Sequence, residues 1–271
     1  MVSLVYPNIS SSEFNMNSQH VMVLQWTFLP PDYFEAPVVI SRDDYTVSIQ
    51  DGKIDVRMAP TLYETNPNIK DAIEDALNHR FRAMELISHH GYSLSYAGRL
   101  HIHPDGHKEF FLTINERLTV RDSVDFTASD KAGNVIFDSR KERLQQKMML
   151  ADLVERHSSR DSLVKSMLKS YHAAVTDPDN ELVYLYEIRD ALAREFRGEN
   201  QVRAILNISS ASWHELGRIA NDAPLKQGRH RGKFVEALRD ATEEELGTAR
   251  QIARDLIFEY LRYLEENHTL S

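Results

Sequence analysis

Apolar residues in this chain recur with a period of two up to about residue 137, and with the helical period of about 3.6 from there on. One uniform architecture cannot satisfy both periods, so the pattern predicts two domains, 1–137 and 138–271, in the α+β class. In the first, Met22, Leu24, Trp26 and Phe28 share one face of a strand, and Tyr45, Val47 and Ile49 repeat the alternation. Asp51-Gly52 then leads into Ile54, Val56 and Met58, a hairpin signal because both turn residues tolerate positive φ. Pro104-Asp105-Gly106 marks a second hairpin, between 94–103 and 109–114, and Lys131-Ala132-Gly133 a third, between 118–127 and 134–137. One helix interrupts the strands. Asn66 is its expected cap, Pro67 its first residue and Gly91 its left-handed end, with Ile69, Ile73, Ala76, Leu77, Met84 and Ile87 facing the sheet. The expected first domain is an antiparallel sheet with one packed helix.

The second domain reads as an all-α bundle. Helices are expected over 142–157 and 161–175, from Asp177-Pro178 to Gly198, and over 200–208. Thr242 with Glu245 is a capping box that opens the last helix. That helix buries Leu246, Ala249, Ile252, Ala253, Leu256, Ile257, Tyr260, Leu261 and Leu264.

Composition narrows the chemistry. The 271 residues contain no cysteine, which removes disulfides, thiolate catalysis and cysteine-ligated zinc and suits a cytoplasmic location. No apolar run approaches the roughly 18 residues of a membrane span. The first residues, Met-Val-Ser-Leu-Val-Tyr-Pro, lack a basic and an apolar region, so no secretory signal is expected. The net charge is -9, with -7 from residues 1–137 and -2 from 138–271. Capture of nucleic acid by the whole surface is therefore not expected.

Against that acidic background stands the segment Ala223–Val235, which holds Lys226, Arg229, Arg231 and Lys233 and no acid. Gly228 and Gly232 bracket Arg229-His230-Arg231, and glycines in a loop let backbone N–H groups approach an oxyanion. Three readings stay open. The cations cap helices and pair with Asp222, Glu236 or other acids of the chain, or they bind an RNA or nucleotide phosphate, or they meet an acidic partner or a second subunit.

Other motifs fail on their spacing. Gly228 to Lys233 is one residue short of a P-loop and is followed by Phe234 where magnesium needs Ser or Thr. His214-Glu215 lacks a histidine at position 218. His101 and His103 leave a strand on one side with His107 just past the turn, a possible metal set. Leu100 and Ile102 are expected to face the core, which makes the histidines a polar strand face and leaves no metal or other cofactor expected. His89-His90 at a helix end reads as a cation on the dipole.

Residues 160–271 resemble the HEPN superfamily of small helical bundles, near the helical proteins of methylamine-utilisation J type. The resemblance rests on the helix 182–196, the string from Leu216 to Lys233, and the long closing helix 243–266. It implies metal-independent RNA chemistry by an arginine and a histidine in a homodimer. His230 matches the histidine, and Arg218 and Asn221 are the nearest polar partners, although Arg218 and His230 are twelve positions apart. The expectation is a cytoplasmic, non-catalytic HEPN-like protein that binds RNA or a nucleotide phosphate through Lys226, Arg229, Arg231, Lys233 and Asn221. The alternatives are an endoribonuclease using His230 and Arg218, and a homo-oligomeric assembly protein that docks on an acidic partner.

Overall fold

A computed structural model describes residues 20–105, 107–112, 127–129, 135–233 and 238–268. The class is α+β, an antiparallel sheet followed by helices. The chain divides into two compact units: residues up to Ile73 with Ser93–Arg121, and Glu74–Tyr92 with residues from Asp122 onward.

The first unit is built on six strands: β1 (Val21–Leu29), β2 (Val38–Ser41), β3 (Tyr45–Gln50), β4 (Lys53–Met58), β5 (Ser93–Ile102) and β6 (Lys108–Leu112). They lie in the order β2-β3-β4-β1-β5-β6, antiparallel throughout. Central β1 buries Met22, Val23, Leu24, Trp26 and Phe28. The period-two face is real, and Val23 on the opposite face is covered as well. The Asp51-Gly52 turn forms with φ of 49° and 77°. The same turn closes on the end of β1, where Phe28 N–H donates to Gly52 O at 2.9 Å. A six-residue helix, α1 (Pro60–Thr65), was not signalled by the sequence pattern.

Helix α2 (Ile69–Ser88) begins two residues after Pro67, and Asn66 closes α1 instead of capping α2. Asn66 Oδ1 accepts from Asn68 N–H in the turn between them. At the other end the left-handed residue is His89, φ 49°, and not Gly91. From Glu74 on, α2 belongs with the helices of the second unit, and buried charges explain why. Arg80, 2% exposed, donates to Asp152 at 2.6 Å and Glu155 at 2.9 Å. Glu85, 1% exposed, holds the His172 ring at 2.9 Å. Arg254 donates to the last carbonyls, Leu86 O and Ile87 O. A stripe read as purely apolar is interleaved with ions that must find partners once buried.

The rest of the second unit comprises a two-stranded sheet, β7 (Thr127–Ser129) and β8 (Val135–Asp138), and then helices. The turn expected at 131–133 lies outside the described residues. The helices are α3 (Ser139–Ser158), α4 (Ser162–Thr176), α5 (Glu181–Glu195), α6 (Glu199–Ile205), α7 (Ser210–Gly217) and α8 (Glu243–His268). Local caps set their starts. Asp138 and Asp161 accept from Lys141 N–H and Val164 N–H. Thr242 and Glu245 exchange two bonds as a capping box. Asp161 also accepts from Tyr260 Oη, which joins the start of α4 to α8. Glu181, 1% exposed at the start of α5, takes both ends of the Arg250 fork at 2.6 and 3.0 Å, with His89 at 3.4 Å. No helix of the described residues is long and apolar enough to cross a membrane.

Candidate functional site

Two backbone anchors shape the basic loop. Pro224 O and Lys226 N–H both bond Arg239, which draws the two limbs together. Arg239 in turn clasps Glu245 with both ends of its fork, at 2.7 and 2.8 Å. That clasp is the main reason the Glu245 carboxyl titrates far below the usual range, near pH 2. Leu225 is buried beneath the loop. Gly228 fits because a Cβ there meets Ala220 O and Leu225 O, each at 3.2 Å. Gly232 has open space around it.

Helix α7 does not end cleanly. Residues Arg218–Asp222 widen into a π turn, a distortion frequent at functional sites. Arg229 N–H donates to Ala220 O in that turn at 2.9 Å. The loop that carries His230 is thus seated on the turn that carries Arg218 and Asn221, so backbone contact bridges the twelve positions. The side chains do not complete the arrangement. Arg218 gives both ends of its fork to Glu215, at 2.8 and 2.7 Å. Asn221 donates to Asp222. Among the described residues, half-buried His230 makes no hydrogen bond to either.

The four cations differ. Lys226 pairs with Asp240 at 2.9 Å, with both groups exposed, at 54% and 69%. Arg229, 33% exposed, pairs with Asp190 of α5 through Nη1 at 3.0 Å and lies 4.3 Å over the Tyr186 ring. Arg231 donates to Gly228 O, Asp179 O and Asn180 Oδ1, which pins the loop to the start of α5. Lys233 is exposed and forms no ion pair among the described residues. Ion pairs within the chain therefore account for Lys226 and Arg229, neutral oxygens hold Arg231, and Lys233 has no ion pair among the described residues. Three backbone donors of the loop are spent within the fold: Gly228, Arg229 and Lys233 N–H bond Leu225 O, Ala220 O and His230 O. Phe234 and Val235, the end of the stretch, lie outside the described residues.

Sequence reasoning missed the wall beside the loop. On α5, the Tyr186 ring has two guanidinium groups against it, Arg229 at 4.3 Å and Arg189 at 4.9 Å. Arg189 also covers Trp213 at 4.6 Å. Trp213 itself is core, its Nε1–H donating to Glu199. The spacing of Tyr186, Arg189 and Asp190, at i, i+3 and i+4 on one helix, was the available signal.

Two histidine readings are corrected. His89 is not a cation on a helix dipole, because burial, with Arg250 and Arg254 nearby, holds its pKa down to about 4. His101 lies opposite Met22 on the buried side of β1, so His101 and His103 are half-buried and not on a purely solvent face. As they stand, no three His, Asp or Glu side chains among the described residues are arranged to hold a metal ion.

No family model, curated protein or solved structure matches this chain.

Proposed function

We propose that the second unit is a HEPN-like, non-catalytic binding module that takes an RNA or nucleotide phosphate at the rim of the basic loop. One observation carries the reading. Lys233 is exposed without an ion pair among the described residues, in the same loop as Arg229, which spends only Nη1 on Asp190, and Lys226, which is in an exposed pair. Exposed pairs of this kind contribute about 0–1 kcal/mol, so an arriving phosphate displaces Asp240 or Asp190 at little cost. Arg231 is left out of the binding set because it ties the loop to α5. Tyr186 beneath Arg229 fixes the guanidinium plane, which preserves its fork for phosphate oxygens.

Binding is assigned, and cleavage is not. Among the described residues Arg218 pairs with Glu215 and Asn221 with Asp222, and neither is hydrogen-bonded to His230, so no catalytic set is assembled. The reading includes a cytoplasmic location, which a chain without cysteine suits. It also includes self-association, which light scattering checks. The test is fluorescence anisotropy with a labelled single-stranded RNA, and calorimetry with ATP. Arg229→Ala with Lys233→Ala should weaken either ligand at least tenfold while the melting curve stays unchanged. Equal affinity in the double variant removes the proposal. Hydrolysis of the RNA in EDTA, abolished by His230→Ala, replaces it with the nuclease reading.

A further inference from the structure

We propose that His20, His101, His103 and Glu109 form a binding site for a divalent transition-metal ion of zinc type, with His107 closing its outer side. All five residues belong to the first unit, and strand register brings them together. His20 precedes β1, whose Val21 pairs with Ile102, so His20 stands opposite His103 on the same side of the sheet. Glu109 of β6 pairs with His101 from the other side. The β5–β6 turn is held by His103 N–H on His107 O and His107 N–H on Asp105 Oδ1, both at 2.9 Å, which turns His107 back toward the strands.

Three of the four ring spacings are close to those around a shared ion. Two imidazoles bound to one tetrahedral zinc have ring centres roughly 5 Å apart, given a zinc–nitrogen bond of about 2.1 Å. Here the His20–His103, His103–His107 and His20–His101 centres are 4.7, 5.6 and 5.9 Å apart. His101 and His103 are 6.5 Å apart. The Glu109 carboxylate is 3.6 Å from His103 Nε2 and 3.9 Å from His107 Nε2. Nε2 of His101 and of His103 is buried, and neither has a hydrogen-bond partner among the described residues. An imidazole nitrogen left so costs stability, and a metal ion takes its lone pair.

The donors do not converge as they stand. His20 and His103 are stacked at 25°, and the ring torsion that parts them is a soft one. Ring rotation is the movement by which the donors would converge on an ion. Arg99, a cation near His101, is occupied over Phe111 at 4.6 Å and donates to Tyr63 Oη. Three or four imidazoles with one carboxylate select zinc, nickel or copper over magnesium and calcium.

The test uses the full chain without a histidine tag, titrated with zinc chloride by calorimetry, with magnesium chloride as control. The expected result is one zinc per chain with micromolar or tighter affinity, no magnesium binding, and a higher melting temperature for the zinc form. His101→Gln with His103→Gln should weaken zinc at least thirtyfold, and Glu109→Gln at least threefold. Acidification should weaken binding, because an imidazole must be neutral to ligate a metal. If the glutamine variants unfold, Cu(II) electron paramagnetic resonance on the unaltered chain decides instead: coupling to several imidazole nitrogens supports the site. No zinc binding, binding unchanged in the folded double variant, or a copper spectrum without imidazole coupling overturns it.

Discussion

At the scale of single residues, burial decides which charges are structural. His89 stays neutral in the fold down to about pH 4, whereas an unfolded histidine titrates near 6.5. Between those values the unfolded chain binds more protons, so this contribution is complete above pH 6.5 and is lost as the pH falls toward 4. His89→Asn keeps a residue tolerant of positive φ. Urea unfolding at pH 7 and pH 4.5 should show a smaller drop for this variant than for the native chain. Glu245 acts in the same direction over a lower window: its stabilisation is present above 4.5 and lost as the pH falls toward 2. Neither shift was legible in the sequence. His89 at a helix end looked like a cation, and only the fold puts it among Tyr171, Glu181 and Arg250.

At the scale of elements, the features that could be read were those within one turn of chain. Asp51-Gly52 and the Thr242–Glu245 box formed as their local chemistry required. Features between distant segments could not be read. Arg229 meets Asp190 thirty-nine positions away, and Arg80 meets Asp152 seventy-two away. The two loop glycines show the difference. Gly228→Ala should cost about 1–3 kcal/mol, because two fixed carbonyl oxygens already crowd the new Cβ. Gly232→Ala should stay within about 0.5 kcal/mol. Denaturant melts of the pair check both. Equal effects would mean that Gly228 is not seated on the Arg218–Asp222 turn.

At the scale of the whole molecule, the change of hydrophobic period separated sheet from helices, because burial of a face forces that period on each. It did not show that most of α2 belongs with the helices. Arg80→Ala removes a buried side chain together with its bonds to Asp152 and Glu155, and should destabilise the second unit by about 1–3 kcal/mol, read from its urea midpoint. Under the proposed phosphate binding, a protein of net charge -9 with so narrow a contact rim should release few counterions. Binding of that kind requires Asp190 and Asp240 to hold places that a phosphate takes over. RNA affinity by anisotropy in Asp190→Asn with Asp240→Asn reads this exchange without an intermediate step. Binding should tighten by roughly threefold or more, and should revert when Arg229 and Lys233 are also changed to alanine. Unchanged or weaker binding in a folded double variant would show that no phosphate competes with those two aspartates.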